Sequence, residues 1–186
     1  MSQTSEKSIV VDDSIEVDLR NPYLGALLAW LIPGAGHLYQ RRYAKGVVFM
    51  VCILSTYVFG LAMGGGHAVY ASWREGDRRW QYAFQVGVGI PALPALIQTD
   101  NVRSGGEPIL DDMMAPPRDV NPRGDDDLAR WNLEHHAYFE FGTLYTMIAG
   151  LLNILAIYDA YAGPFVAEEE EDKDKPPPDD ERASGA

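Results

Sequence analysis

One uncharged stretch constrains this chain more than any other feature. Residues 46–66, GVVFMVCILSTYVFGLAMGGG, contain no acidic or basic side chain and no proline. A helix needs about 20 mostly apolar residues to cross the hydrocarbon core of a bilayer, which is about 30 Å thick. Because this stretch is apolar on every side, it lacks the polar face of an amphipathic surface helix. We therefore predict a membrane-spanning helix here.

Three other windows are also free of charged side chains. They comprise residues 24–39, 82–97 and 141–158. The last is long enough to span a bilayer, whereas the first is interrupted by Pro33 and the middle one by Pro91 and Pro94. Proline removes a backbone donor and pushes against the preceding turn, so the middle window is either a kinked span or a re-entrant segment. The sequence thus predicts an all-α integral membrane protein with about four hydrophobic segments.

The charged residues define the parts between these windows. The net charge is −12, and the acidic residues concentrate at both ends and in the middle of the chain. Such stretches bury too little apolar surface to offset their chain entropy, so we expect disordered tails. The acidity also argues against a nucleic-acid partner. The predicted regions are an acidic tail (1–21), a membrane region (22–98), a polar acidic linker (99–136), a C-terminal transmembrane helix (137–162) and a second acidic tail (163–186).

The segment 32–51, IPGAGHLYQRRYAKGVVFMV, predicts a tight hairpin at the membrane surface. A proline and glycines end one helix, amphipathic rings lie at head-group depth, and cations follow before the chain becomes apolar again. Each cation near an anionic surface is worth about 1 kcal/mol, so membrane lipid is a predicted partner. The hairpin residues are Pro33, Gly34, Gly36, His37, Tyr39, Arg41, Arg42, Lys45 and Gly46.

This hairpin resembles the signature of the two-transmembrane-helix domain family. In that family an apolar helix ends in a Gly-x-Gly-His-x-Phe/Tyr pattern, a basic position follows, and a glycine opens the next helix. The matching residues are Gly34, Gly36, His37, Tyr39, Arg42 and Gly46. Far down the chain, GLLNILAIYDAYAG, with Asp159, resembles the family's second apolar helix, which ends in an aspartate. The resemblance implies a helical hairpin within a bacterial cytoplasmic membrane and brings no catalytic activity with it.

Four residues predict how the apolar helices pack. Gly60-x-x-x-Gly64 permits the close approach of another helix, either within the chain or in a homo-oligomer. Asn153 predicts a hydrogen bond between helices, worth about 0.6–2 kcal/mol. Asp159 lies near the end of the last window, where we expect it to pair with an arginine of another loop or to cap the helix.

Few patterns in the sequence are typical of catalysis. The best metal candidate pairs His136 with Glu140 on one helix face, and His37 and His67 could add ligands from other loops. However, two adjacent histidines on a helix point about 100° apart. The sequence also lacks an HExxH-type zinc pattern, a Gly-x-Ser-x-Gly elbow and a P-loop. We therefore expect no enzyme activity, no cofactor and no metal.

These features predict a multi-pass membrane protein that acts as a non-enzymatic scaffold or assembly module. Its acidic tails would offer binding surfaces to soluble protein partners. The alternative is a small transporter or channel subunit in which the broken third segment lines a polar path. A membrane metalloenzyme built on the histidines above is a third class.

Overall fold

Helices dominate the part of the chain that the structure describes. The computed structural model describes residues 8–10, 16–18, 21–75, 77–118 and 126–163. The elements are β1 (Ser8–Val10), β2 (Glu16–Asp18), α1 (Pro22–Leu31), α2 (Ala35–Tyr39), α3 (Tyr43–Met63), α4 (Tyr82–Gln85), two 3-10 turns (Val86–Val88 and Ile90–Ala92), α5 (Pro94–Arg103), β3 (Ile109–Asp112), α6 (Asp127–His135) and α7 (Ala137–Ala162). The helical class predicted from the sequence is confirmed.

Helices α3 and α7 are the two long apolar elements. They contain 21 and 26 residues, which at 1.5 Å per residue gives lengths of about 32 and 39 Å. Both are long and apolar enough to cross a membrane. α7 ends at Ala162, and Gly163 follows it with a positive φ of 78°, which favours glycine. Two of the four predicted segments are thus continuous helices of spanning length.

The two proline-containing windows fold as broken helices. α1 has 10 residues and a length of about 15 Å, half the thickness of a bilayer core. The chain then turns through residues 32–34 before α2 begins. The window at residues 82–97 consists of α4, the two 3-10 turns and the start of α5. Neither window continues as one helix, because each proline withholds the N–H that the helix requires.

α3 and α7 pack antiparallel at very short range. A Cβ atom on Gly60 would lie 2.8 Å from the carbonyl oxygen of Gly142, and a Cβ on Gly142 would lie 2.5 Å from that of Gly60. At the other end of the pair, Lys45 contacts Asp159. The close approach that Gly60-x-x-x-Gly64 permits is therefore used within the chain, against α7.

Regular structure extends into regions where the sequence predicts none. The tail 1–21 is predicted to be disordered, yet β1 and β2 lie in it and pair antiparallel, with Ile9 opposite Val17. The β-branched residues of both strands favour this pairing. Residues 8–10 and 16–18 thus form two short paired strands within the predicted tail, whose disorder stays a prediction, and the prediction for the tail 164–186 lies outside the described residues.

The described part of the predicted polar linker 99–136, residues 99–118 and 126–136, folds against the helices. It contains the end of α5, β3 and α6. Gln98 holds β3 against α5 through two hydrogen bonds. Its side-chain amide donates to the carbonyl oxygen of Met113 at 2.9 Å, and its side-chain oxygen accepts from the Ile109 N–H at 2.8 Å. Met114 is buried. The side-chain amide and the apolar residues together hold this acidic segment in place.

The helical body buries several polar side chains within its apolar core and exposes an apolar outer surface. The fully buried side chains include the polar residues Gln85, Thr146 and Asn153. The outward faces of α3 and α7 are apolar. Their exposed residues include Val47, Val48, Val51, Val58, Phe59, Phe141, Leu144, Leu151, Leu152 and Leu155. Soluble proteins rarely expose continuous apolar surfaces of this extent.

Candidate functional site

Three basic side chains of the hairpin converge on one carboxylate of α7. The Nε2 atom of His37 lies 2.7 Å from Oδ2 of Asp159, a residue 122 positions later in the sequence. Lys45 donates from Nζ to Oδ1 at 2.7 Å, and Nη2 of Arg42 lies 3.3 Å from Oδ2. We call these four residues the Asp159 cluster. The structure thus brings together the basic turn and the aspartate that the sequence analysis singled out separately.

The hairpin glycines allow this convergence. Gly34 has a left-handed φ of 82° and begins α2, and a Cβ there would collide with the carbonyl oxygen of Gly46. A Cβ on Gly36 would collide with the carbonyl oxygen of Gly25 in α1. α2 is therefore wedged between α1 and α3, with His37 turned inward and completely buried.

Burial controls the protonation of His37. Burial lowers the pKa of His37 below its ordinary value, and the hydrogen bond to Asp159 opposes that shift. A neutral imidazole with its proton on Nε2 donates to the carboxylate, whereas Nδ1 has no partner within the described residues. The imidazole also packs against the ring of Phe49, with the centroids 4.8 Å apart. His37 thus combines one polar contact with Asp159 and one ring contact with Phe49 in a packed environment.

The remaining hairpin residues lie around the cluster. Arg41 is exposed, with a positive φ of 62°, and Tyr39 is half-buried. Gln40 is buried, and its Nε2 donates to the carbonyl oxygen of Ala160 at 2.6 Å. Sequence reasoning missed Gln40, because a glutamine beside two arginines gives no signal that it faces inward.

A second junction lies on α7 at Asn153, where two proline breaks meet. The amide Nδ2 donates to the carbonyl oxygen of Ala29 at 3.0 Å and to that of Gly87 at 2.9 Å. In a continuous helix these carbonyls would accept from residues 33 and 91, which are both prolines. Asn153 is fully buried. One side chain therefore satisfies the two carbonyl groups that Pro33 and Pro91 leave without their helical donors.

The backbone at this junction is packed without space for side chains. Gly89 has a left-handed φ of 85°, and a Cβ there would collide with the carbonyl oxygen of Trp30. Likewise, a Cβ on Gly150 would collide with the carbonyl oxygen of Phe84. The broken segments and α7 are thus in backbone contact around Asn153.

Two more polar side chains form hydrogen bonds that connect α7 with the loop that follows α3. Gln85 donates to the carbonyl oxygen of Ala68 at 3.0 Å and to Oγ1 of Thr146 at 2.8 Å. Arg79 donates to the same carbonyl at 3.0 Å and to Oγ1 of Thr143 at 2.7 Å. The sequence analysis did not single out Arg79, which is buried.

Two rings accommodate the buried guanidinium of Arg79. Its Cζ atom lies 4.5 Å from the ring centroid of Tyr70 and 5.2 Å from that of Phe139. Cation–π attraction of this kind strengthens when the pair is removed from water. The aromatic rings and the hydrogen bonds together compensate for the burial of this cation.

The histidines considered as metal ligands do not converge. His67 stacks on Trp131 with the ring centroids 4.2 Å apart, and its ring centroid is 6.5 Å from that of His135. His136 is exposed at the start of α7, whereas His37 belongs to the Asp159 cluster near the other end of that helix. Among the described residues, no three His, Cys, Asp or Glu side chains form a metal-binding group.

Comparison with known proteins identifies the family. The sequence pattern of the Family of unknown function (DUF6677) matches residues 24–173. No curated protein and no solved structure matches the chain. The family match includes the hairpin, both proline breaks and all of α7. Because it covers well over half of the chain, the protein belongs to the DUF6677 family.

Proposed function

We propose that this protein is a multi-pass membrane protein that acts as a non-enzymatic assembly module. The observation that carries the proposal is that α3 and α7 turn apolar side chains outward while the polar side chains of Gln85 and Asn153 are fully buried. In water such a surface favours aggregation. In a bilayer the same surface meets acyl chains, and the buried amides find the internal partners that lipid cannot supply.

In this proposal α3 and α7 span the bilayer and the proline-broken segments enter it partway. Irregular backbone at membrane depth is tolerated where it is buried in protein. The breaks after α1 and α4 meet this condition, since Asn153 and the close backbone packing at Gly89 cover them. The family resemblance of the hairpin to two-transmembrane-helix domains supports the same arrangement.

The assembly role follows from where the acidic tails leave the body. Tyr23, at the start of α1, packs edge-on against Tyr161, at the end of α7, with the ring centroids 5.4 Å apart. Residues 1–21 and 163–186 therefore both attach at the same end of the molecule. The negative charge of the two segments that join the body there favours basic soluble proteins as partners.

Two measurements test this function. First, the full chain should remain in the membrane pellet after alkaline carbonate extraction and should require detergent to stay monodisperse. Second, chemical crosslinking in intact cells should capture a soluble partner, and the yield should fall when the acidic residues of 164–186 are changed to Asn and Gln at constant length. A monodisperse protein in plain buffer, or crosslinking independent of tail charge, would overturn the proposal.

A transporter or channel subunit is the second candidate, and the junction at Asn153 favours it. Discontinuous helices that meet near the middle of a spanning helix build the binding sites of many secondary transporters. Reconstituted vesicles with ion-sensitive dyes separate the two functions. A transporter predicts flux above that of empty vesicles and its loss in Pro91→Ala and Pro94→Ala, whereas the assembly module predicts no flux from any of the three proteins.

A further inference from the structure

We infer that the Asp159 cluster and Arg41 bind the phosphate head group of an anionic phospholipid. This inference rests on the proposed membrane function and adds a ligand to it. Its basis is a surplus of positive charge at one end of the helical body, placed directly above an apolar surface.

The surplus arises because Asp159 balances only one of its cationic partners. Arg42 and Lys45 bring two positive charges to the single negative charge of the carboxylate. Arg41 adds a third cation and is exposed beside them in the sequence. The Lys45 side chain is 40% exposed, whereas that of Asp159 is 18% exposed. Lys45 is therefore more accessible than the carboxylate, whereas Arg42, at 15%, is covered about as much as Asp159. Among the described residues of the helical body at this end, the accessible charge is positive.

The surface next to the cations fits an amphiphile better than a free anion. From Lys45 toward the middle of α3, the exposed residues Val47, Val48 and Val51 form an apolar strip. A lipid whose phosphate reaches Lys45 can lay its acyl chains along this strip. Inorganic phosphate would meet only the cations and would gain nothing from the valines.

Exposed tyrosines lie at the same end of the molecule as the cations, and they indicate a head-group zone there. Tyr23, Tyr43, Tyr158 and Tyr161 are all exposed at this end. Tyrosine is enriched at membrane interfaces because its ring is apolar and its hydroxyl is polar. A phosphate held by Lys45 would thus lie at the depth where head groups are expected.

Phosphatidylglycerol and phosphatidylcholine distinguish an anionic head group from a neutral one. The full chain in a neutral detergent is titrated with each lipid, and with inorganic phosphate, while its melting temperature is followed by tryptophan fluorescence. We expect phosphatidylglycerol to raise the melting temperature well above the effect of phosphatidylcholine, with inorganic phosphate having little effect. In the double variant Arg41→Gln/Lys45→Gln, affinity for phosphatidylglycerol should fall about 25-fold, since each cation contributes about fivefold.

Two further variants make the result decisive. Arg41→Gln alone leaves the contacts with Asp159 intact and should weaken phosphatidylglycerol binding about fivefold, even if the double variant does not fold. Arg118→Gln, an equal charge change on a half-exposed arginine of the linker, should leave binding unchanged.

Three outcomes would overturn the lipid site. The first is that phosphatidylglycerol and phosphatidylcholine raise the melting temperature equally. The second is that inorganic phosphate raises it as much as phosphatidylglycerol does. The third is that Arg41→Gln binds phosphatidylglycerol with wild-type affinity. Any of these, obtained with a chain that still requires detergent, leaves the membrane proposal standing. A chain that is monodisperse without detergent removes both proposals.

Discussion

The side-chain amide of Asn153 lies 3.0 Å from the carbonyl oxygen of Ala29, a residue 124 positions earlier in the chain. Pro33 cannot supply the N–H that this carbonyl would receive in a continuous helix. The same amide also donates to the carbonyl oxygen of Gly87, whose donor in a continuous helix would be the N–H that Pro91 lacks. A single residue of α7 therefore compensates for two helix breaks and holds both broken segments against one spanning-length helix.

Replacing Asn153 with leucine should destabilise the protein strongly. The change leaves two buried carbonyl groups without donors, and each costs about 1–3 kcal/mol. We expect the free energy of unfolding to fall by about 2–5 kcal/mol, measured by denaturant unfolding in detergent. Asn132→Leu is the matched control, because Asn132 is exposed on α6 and bonds only within its own helix. Equal stability of the two variants would show that the junction contributes nothing.

Neutralising Asp159 should release the hairpin from α7. Asp159→Asn removes the charge that faces Arg42 and Lys45, and hydrogen bonds to charged groups are worth about 1.5–3 kcal/mol each. We expect a loss of about 2–3 kcal/mol in the free energy of unfolding. Glu134→Gln, which removes an exposed pair with Arg130 on α6, should cost less than about 1 kcal/mol. If both substitutions have the same small effect, the Asp159 cluster is not a structural contact.

Adding a side chain at Gly60 should separate α3 from α7. A Cβ there lies 2.8 Å from the carbonyl oxygen of Gly142 and from Cβ of Tyr145, so Gly60→Ala should destabilise the protein by about 1–3 kcal/mol through overpacking. Ala62→Leu on the exposed face of the same helix should be tolerated. The comparison uses the same unfolding measurement, and an unchanged Gly60→Ala protein would refute the close packing.

Stability should decline as the solution becomes acidic, in part through His67. The pKa of His67 lies below its ordinary value of 6.5, chiefly because the residue is buried. The nearby Asp112 opposes this shift, whereas His135 and Arg130 add to it. Because the unfolded chain binds the proton more tightly, this residue stabilises the fold above pH 6.5 and that contribution is lost as the pH falls through the lowered pKa. The melting temperature should therefore drop on acidification.

His67→Gln isolates this contribution. The variant should lose less stability than the wild type between pH 7.5 and pH 5, because glutamine does not bind a proton in that range. The measurement is the difference between the two melting temperatures at each pH. Parallel curves for the two proteins would contradict the assignment to His67.

Some of this site could be predicted from local patterns. The hairpin glycines, the prolines and the acidic residue near the end of the last apolar window are all visible in the sequence. Asn153 could be singled out because an amide is costly in an apolar helix unless it finds partners. Gln40 and Arg79 could not be singled out, because each lies beside arginines and only packing shows that it is buried. Gln85 lies in an apolar window, so the reasoning that singles out Asn153 applies to it as well.

By itself, the sequence determined which helices are long and apolar enough to cross a membrane and where proline interrupts the others. These properties depend on composition and on backbone chemistry within about 20 neighbouring residues. Only the tertiary structure decided that Asn153 serves the carbonyls of Ala29 and Gly87, and that Asp159 receives three bases of the hairpin. Such pairings join residues 66 or more positions apart, so they follow from how the helices pack and not from any local pattern.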